Sequence, residues 1–215
     1  MNKQKIASYL DYSVLKPENT DTDVKNACEI AIKNKVASVC VKPYHVGLAK
    51  ELLQKSRIKV GTVINFPFGM NTGLENLYAI QLANEYGAQE VDMVANIGNI
   101  LSSYPYEYQI HRCIELAHKF NMIFKLIIET SLLSDELIIE TSKIAESCEV
   151  DFIKTSTGFG IRGATLHDIK LIKQGAPSTL IKASGGIKTL EQVIEFINAG
   201  CTRIGTSNVE TILNS

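Results

Sequence analysis

The sequence predicts a (β/α)₈ barrel, a closed ring of eight parallel strands surrounded by helices. Three observations favour this fold class. Eight short apolar runs recur along the 215 residues, amphipathic segments separate them, and threonine or glycine signals mark many of the junctions. Alternation of strand and helix is typical of parallel sheets, and eight repeats are the number that closes a barrel of this kind.

Each predicted strand is a short run, and several are almost continuous Val, Ile and Leu, as expected for strands covered by helices on the outside. In chain order the runs are 9–14, 37–42, 58–64, 90–95, 122–129, 150–154, 179–183 and 202–205. The first run, YLDYSV, has the weakest pattern. Without it, the alternation would fit a doubly wound open sheet instead.

The segments between these runs carry apolar residues three and four positions apart, which predicts helices. The clearest are 21–34, 74–86, 135–147 and 190–199, and a final helix follows the turn at 205–208. Four helix starts have capping-box spacing: Thr20 with Asp23, Thr72 with Glu75, Thr165 with Asp168, and Thr189 with Gln192. Gly87 and Gly200 predict helix ends before the next strand.

The composition predicts one globular domain over residues 1–215. Hydrophobic residues make up 45% and charged residues 21%, and no linker or low-complexity tract is visible. The net charge of −1 gives no field that would attract nucleic acid or an acidic membrane. A site for an anion must therefore be built locally.

Cysteine usage predicts a reducing compartment. The chain has five cysteines and no CxxC pair, which argues against a disulfide framework or a structural zinc site. The N-terminal segment lacks the apolar core of a secretion signal, and no apolar run approaches the roughly 18 residues of a membrane span. We therefore expect a cytoplasmic protein without membrane contact.

Lys154 ends a predicted strand and precedes the turn TSTGFG. Catalytic groups of barrels stand at the C-terminal ends of strands. Partial desolvation there lowers the pKa of a lysine, and a neutral amine is the form that attacks a carbonyl. The alternative interpretation is a lysine that reaches solvent from the end of its strand.

Lys182 lies in the next strand, TLIKA. Neighbouring strands lie about 4.8 Å apart, so two ammonium groups at one height repel, and each is expected to lower the pKa of the other. The pair predicts a nucleophilic amine near neutral pH. Two unrelated surface lysines are the alternative.

Asp92 lies among apolar residues in VDMVA, and a buried carboxylate needs partners. The lysines would supply them, and Asp92 could move protons for a carbinolamine through a water or through Lys182. A purely structural ion pair is the alternative. Lys125 and Glu129, on the same face of one strand, are expected to belong to this interior network in a structural role.

Three turns rich in glycine and hydroxyl groups follow the last three strands, at 155–160, 183–186 and 205–208. Backbone N–H groups at such turns and at helix N-termini bind phosphate, which barrels often place after strands seven and eight. Tight turns need glycine in any case. Three of them beside two strand-end lysines nevertheless predict a phosphate site.

The remaining candidates are weaker. Cys40 could face the barrel mouth, although packing is the stronger interpretation. The histidines at 45, 111, 118 and 167 are scattered and lack metal-ligand spacing, so neither a metal nor another cofactor is predicted. The serine-hydrolase, P-loop and dinucleotide motifs are not found.

Seven motifs resemble those of the deoxyribose-phosphate aldolases, a class I aldolase family. They are LDYSVLKP at 10–17, SVCVKP at 38–43, NFPFG at 65–69, EVDMVANIG at 90–98, KLIIET at 125–130, DFIKTSTGF at 151–159 and KASGGIKT at 182–189. The last two, in this order and at this spacing, are highly specific. One departure is Tyr12-Ser13, where the family commonly has His-Thr.

The resemblance implies a lyase that reversibly splits 2-deoxy-D-ribose 5-phosphate into D-glyceraldehyde 3-phosphate and acetaldehyde, in deoxyribonucleotide catabolism. It implies Lys154 as the Schiff-base lysine, Lys182 as the lysine that tunes it and relays protons, and Asp92 as the partner acid or base. A homodimer is also expected from the family.

The resemblance further implies phosphate contacts from Gly158, Gly185, Gly186, Ser207 and Asn208. Asp11, Cys40 and Lys125 are additional candidates for the pocket. Two other functions stay open from the sequence: another Schiff-base sugar-phosphate aldolase or transaldolase, and a non-catalytic barrel that binds a phosphosugar.

Overall fold

A closed parallel barrel forms the centre of the protein, in a computed structural model that describes residues 1–103 and 105–214. Each strand pairs with the next along the chain, and the last strand closes the ring against the first. The strands are β1 (Leu10–Val14), β2 (Ser38–Val41), β3 (Lys59–Ile64), β4 (Glu90–Val94), β5 (Ile123–Ile127), β6 (Phe152–Lys154), β7 (Leu180–Ser184) and β8 (Arg203–Thr206). The predicted (β/α)₈ barrel is confirmed, and the open sheet is wrong because β1 pairs with both β2 and β8.

Helices cover the outside of the barrel. They are α1 (Lys3–Ala7), α2 (Asp21–Asn34), α3 (Val46–Leu53), α4 (Gly73–Glu85), α5 (Ile97–Leu101), α6 (Glu107–Lys119), α7 (Asp135–Ser147), α8 (Leu166–Gly175), α9 (Leu190–Asn198) and α10 (Val209–Asn214). Short 3₁₀ turns follow β2 at Pro43–His45 and β5 at Thr130–Leu132. Within the described ranges, no helix is long and apolar enough to span a membrane.

Local hydrogen bonds explain where the helices begin and end. All four predicted capping boxes are present, at the starts of α2, α4, α8 and α9. In α4, for example, the Glu75 carboxylate accepts from the backbone N–H of Thr72 at 2.7 Å. Gly87 and Gly200 follow α4 and α9 with φ of +95° and +99°, the left-handed conformation that ends a helix at little cost for glycine.

The core has two chemical characters. Between the barrel and its helices, a continuous apolar cluster includes side chains from the strands and the helices. Inside the barrel, several charged side chains are buried instead, among them Glu90, Asp92, Lys125, Lys154 and Lys182. Because an unpaired buried charge is costly, these groups must satisfy one another, and their arrangement forms the candidate site.

Candidate active site

Four adjacent strands place the predicted lysines and aspartate at neighbouring levels inside the barrel. Asp92 of β4 is level with Lys125 of β5, and Lys154 of β6 is level with Lys182 of β7. All four side chains are buried, with exposed fractions of 0–2%. Lys154 therefore does not reach out into solvent, and Lys182 is not a surface lysine.

Asp92 is the centre of the cluster. Its Oδ1 accepts a hydrogen bond from Lys125 Nζ at 2.7 Å, and its Oδ2 accepts from Lys154 Nζ at 2.9 Å and from Lys182 Nζ at 2.6 Å. Lys182 Nζ also donates to the carboxylate of Asp11 on β1. Among the residues that the structure describes, Lys154 thus has one carboxylate partner, which it shares, whereas Lys182 has two.

A second layer of charge extends the cluster deeper into the barrel. Lys125 Nζ lies 2.7 Å from Glu90 Oε2, and Arg203 Nη1 lies 3.0 Å from the same oxygen. Arg203 also donates to Ser38 Oγ at 2.8 Å. Sequence reasoning missed Glu90 and Arg203. The signal was present for Glu90, because it lies two positions before Asp92 and therefore on the same face of the strand.

The two lysines have opposite pKa shifts. Burial and the ammonium of Lys182 lower the pKa of Lys154, and Asp92 only partly opposes them. Burial also disfavours the charged form of Lys182, but the carboxylates of Asp11 and Asp92 outweigh it and raise the pKa of Lys182. The expectation that each lysine lowers the pKa of the other is therefore wrong for Lys182, because the sequence did not reveal that Asp11 pairs with it.

Charge balance favours one neutral amine in the cluster, and the lowered pKa of Lys154 makes it the amine that loses its proton. The cluster contains four basic side chains and three carboxylates, taken over the described residues: Lys125, Lys154, Lys182 and Arg203 against Asp11, Glu90 and Asp92. One surplus positive charge in a buried site is unfavourable. Neutral Lys154 removes the surplus, and a neutral amine is nucleophilic.

A cavity of about 290 Å³ lies over Lys154. Loops after β1, β6, β7 and β8 line it, and the lining includes all five residues implied as phosphate contacts: Gly158, Gly185, Gly186, Ser207 and Asn208. It also includes Lys16 and Lys188, which sequence reasoning did not single out. A larger groove of about 440 Å³ lies outside the barrel between α4 and α6, away from these lysines.

Three pocket candidates lie elsewhere. Asp11, Cys40 and Lys125 are no more than 1% exposed and are not among the residues that line the cavity. Asp11 and Lys125 belong to the charge cluster, while burial and nearby carboxylates raise the pKa of the Cys40 thiol to about 12. These three residues therefore do not line the cavity, contrary to the expectation from the sequence. Position in a strand does not show whether a side chain borders the cavity or fills the interior of the barrel.

Glu129 is also not in the charge cluster. It follows β5, and its Oε2 accepts from the backbone N–H of Thr157 at 2.9 Å and from Thr157 Oγ1 at 2.6 Å. It thus holds the loop that follows Lys154. Two residues after Thr157 in this loop, the Phe159 ring packs edge-on against Phe66 with 5.4 Å between the ring centroids, and the Phe66 ring centroid lies 6.0 Å from Lys154 Nζ. These two rings form an apolar wall beside the amine.

The polar end of the cavity is formed by close packing of two loops. A Cβ on Gly163, after β6, would lie 2.0 Å from the carbonyl oxygen of Gly185, after β7. Ser184 Oγ donates to the carbonyl of Ser156 at 2.6 Å, which ties the same loops together. The glycine-rich turns therefore allow two backbones to meet where the cavity needs N–H donors.

Comparisons with known proteins agree with this geometry. A family model described as DeoC/LacD family aldolase matches residues 5–206. A deoxyribose-phosphate aldolase of Caldicellulosiruptor saccharolyticus is 44% identical, over 100% of this chain and 99% of the relative. Another, from Thermococcus kodakarensis, is 42% identical, over 97% of this chain and 95% of the relative.

Solved structures are similar over nearly the whole chain. An aldolase named QR15 is 35% identical with a TM-score of 0.92, over 97% of this chain and 94% of its own. A tetrameric deoxyribose phosphate aldolase from Aeropyrum pernix is 26% identical with a TM-score of 0.93, over 100% of this chain and 92% of its own. With its closed barrel and its strand-end lysines, the chain belongs to the DeoC/LacD family of aldolases.

Proposed function

We propose that this enzyme reversibly cleaves 2-deoxy-D-ribose 5-phosphate into D-glyceraldehyde 3-phosphate and acetaldehyde, through a Schiff base on Lys154. The observation that carries the proposal is the environment of this amine. Lys154 is buried, shares one carboxylate with Lys182, has a lowered pKa, and borders a cavity whose other end is rich in backbone donors. The relatives named deoxyribose-phosphate aldolase support the choice of substrate.

The substrate phosphate occupies the polar end of the cavity. Gly158, Gly185, Gly186, Ser207 and Asn208 supply N–H groups and side-chain donors, and the flanking ammonium groups of Lys16 and Lys188 attract the dianion. Binding there holds the open-chain sugar with its C1 aldehyde toward Lys154. Remote binding energy is thereby used for positioning the reacting atoms.

The chemistry begins when Lys154 Nζ attacks C1 and the carbinolamine loses water to form an iminium. A base then removes the proton of the C3 hydroxyl. The electrons of the C2–C3 bond move toward the iminium, so that C3 leaves as the aldehyde carbon of glyceraldehyde 3-phosphate and C1–C2 remain as an enamine. Protonation at C2 and hydrolysis release acetaldehyde and restore the amine.

Asp92 and Lys182 are the groups placed to move the protons. Asp92 lies 2.9 Å from the Lys154 amine, and Lys182, held protonated by Asp11 and Asp92, is a proton source on the same carboxylate. Positioned acids and bases typically contribute about 10²–10⁴-fold in rate. The iminium itself accepts the electron pair when the C2–C3 bond breaks.

The test is reductive trapping. Wild-type enzyme, Lys154→Met and Lys182→Met are incubated with acetaldehyde and borohydride, then read by intact mass and peptide mapping. One ethyl adduct on Lys154, lost only in Lys154→Met, is expected. Adducts spread over surface lysines would remove the proposed mechanism.

A comparison of substrates tests the reaction. The enzyme is expected to cleave deoxyribose 5-phosphate but not fructose phosphates. Cleavage of the latter would favour another sugar-phosphate aldolase or a transaldolase, and binding of deoxyribose 5-phosphate without product would favour a binding protein.

We also propose that the chain is a homodimer that works in the cytoplasm. Leu74 and Tyr108 on the outer groove between α4 and α6 are 76% and 75% exposed, an apolar surface suited to a second copy. The five reduced cysteines support a reducing compartment. Light scattering of wild type, Tyr108→Glu and the control Ile32→Glu tests the assembly, and only Tyr108→Glu is expected to give monomers.

A further inference from the structure

Lys42 makes three hydrogen bonds with one short loop. Its Nζ donates to the backbone carbonyls of Lys16 at 3.1 Å, Pro17 at 3.0 Å and Asn19 at 2.7 Å. An ammonium has three N–H donors, and here each has an acceptor. The residue is 9% exposed, so these bonds form largely out of water.

The position of Lys42 in the barrel explains why it reaches this loop. It directly follows β2, and the last residues of β1 and β2, Val14 and Val41, are register partners. The loop after β1 therefore leaves the barrel beside Lys42. Asn19 also closes the loop on itself, because its side chain accepts from the Lys16 N–H at 2.9 Å and its own N–H donates to the Lys16 carbonyl at 3.0 Å.

The same loop lines the active-site cavity. Leu15 and Lys16 of the loop contribute to the lining, beside Ser13 near the end of β1, whereas Lys42 does not. Three carbonyls that would otherwise repel one another converge on one ammonium, so the conformation that brings Lys16 to the cavity depends on that cation. A flexible loop would have to be ordered on substrate binding, at an entropic cost.

Resting on the proposed function, we infer that Lys42 is a positioning residue for phosphate recognition: it holds the loop after β1 so that Lys16 reaches the phosphate of the substrate. Lys42 touches neither the substrate nor the reacting atoms. Its loss weakens binding of phosphorylated substrate and leaves the chemistry at Lys154 intact.

The experiment compares two substrates, deoxyribose 5-phosphate and deoxyribose. In Lys42→Met we expect the KM for deoxyribose 5-phosphate to rise about tenfold, the effect of losing charged hydrogen bonds, with kcat within about twofold of wild type. The kinetics with deoxyribose are expected to stay unchanged. The exposed Lys33→Met on α2 removes an equal charge and is expected to behave as wild type.

A double-mutant cycle with Lys16→Met separates two routes. If Lys42 acts through Lys16, the second substitution adds almost nothing to the first. If instead the free-energy effects of the two substitutions on KM add, Lys42 attracts phosphate by its own charge, and the inference is overturned. An equal loss with both substrates would mean a general structural role and would overturn it too.

Lys42→Arg carries the test if Lys42→Met does not fold. A guanidinium keeps the charge but cannot bring one nitrogen to all three carbonyls, so about a threefold rise in KM is expected. A normal KM in Lys42→Arg would show that charge alone matters and would contradict the inference. Wild-type enzyme that does not cleave deoxyribose 5-phosphate would refute the proposed function instead.

Discussion

Asp92 determines how protons are distributed in the site, because the side chains of three lysines meet on one carboxylate. Burial alone would raise the pKa of Asp92, but Lys125, Lys154 and Lys182 hold it well below its usual value of 3.8. The carboxylate is therefore ionised throughout the neutral range. With its charge fixed, the state of Lys154 depends on the cations around it.

Lys154→Met is expected to abolish turnover without destabilising the protein. Methionine fills the space of the lysine stem, and Asp92 keeps Lys125 and Lys182 as partners. We expect turnover to fall by more than about 10⁴-fold. The free energy of unfolding should stay unchanged or rise by about 1 kcal/mol, because a buried polar amine is removed. Urea denaturation and a coupled assay measure both, with the exposed Lys170→Met as control.

Lys182→Met is expected to move the pH–rate profile upward. Without Lys182, the remaining three cations balance the three carboxylates only if Lys154 is protonated, so the pKa of Lys154 rises. The amine is then nucleophilic only at higher pH, and the acidic limb of kcat/KM shifts that way. At neutral pH the rate should fall by about 100-fold or more. A rate loss with an unmoved profile would show that Lys182 transfers protons but does not tune Lys154.

The sequence predicted three residues that the structure brings together in the charge cluster, but it did not predict their other partners. Lys154, Lys182 and Asp92 could be found because each is a charged residue in an apolar strand. Asp11 and Arg203 could not be assigned as partners, because they lie in other strands and pairing across a barrel depends on register. Glu90 could have been assigned, because it lies two positions before Asp92 on the same face of β4. Lys16 and Lys188 were missed for another reason, since exposed loop lysines have no periodic pattern.

At the scale of elements, the loops after β6 and β7 act as one unit. Gly185 and Gly186 both have positive φ, but only Gly185 packs against the other loop, where a Cβ would lie 2.9 Å from the Gly163 Cα. Comparing substitutions at the two glycines therefore separates the cost of backbone strain from the cost of disturbed loop packing. A substitution at Gly186 measures the cost of the left-handed conformation alone, and a substitution at Gly185 measures both costs.

Gly186→Ala is expected to cost about 1–2 kcal/mol of stability, the penalty of a left-handed conformation. Gly185→Ala should cost more and should raise the KM for deoxyribose 5-phosphate at least about tenfold, because the two loops must separate. Thermal unfolding and steady-state kinetics measure the two effects. Equal behaviour of the two variants would contradict the proposed role of loop packing at the phosphate end.

The strands and helices were largely predictable, because periodicity and capping are local properties. Each of the eight predicted runs overlaps one strand, and the predicted helices 21–34 and 135–147 match α2 and α7. By contrast, α1, α3, α5 and α6 were not individually assigned. For α6, the Tyr106 N-cap makes no side-chain bond, so the sequence contained no capping signal.

At the scale of the whole molecule, the stability of the fold depends on charged side chains in the interior of the barrel, where many barrels have apolar ones. The charges run from Arg203 through Glu90, Lys125 and Asp92 to the lysines at the mouth. Glu90 pairs with two basic side chains and Asp92 with three, whereas Asp11 pairs with Lys182. Removing a central member therefore leaves several charges uncompensated.

Glu90→Gln is expected to lower the free energy of unfolding by about 3–5 kcal/mol, because Lys125 and Arg203 lose their shared carboxylate in a buried place. The surface change Glu51→Gln should have almost no effect. We propose that residues 1–215 unfold as one domain, so both proteins should show a single transition whose calorimetric and van't Hoff enthalpies agree. Two separate transitions would contradict the single domain.

The five buried thiols can report local opening of the enzyme. They are spread around the barrel, in α2 (Cys28), β2 (Cys40), α6 (Cys113), after α7 (Cys148) and before β8 (Cys201). A thiol that is shielded reacts with a labelling reagent only when its surroundings open, so each labelling rate measures a local opening equilibrium. Mass spectrometry of pulse-labelled protein would show which of these five parts of the barrel opens most readily, without any engineered probe.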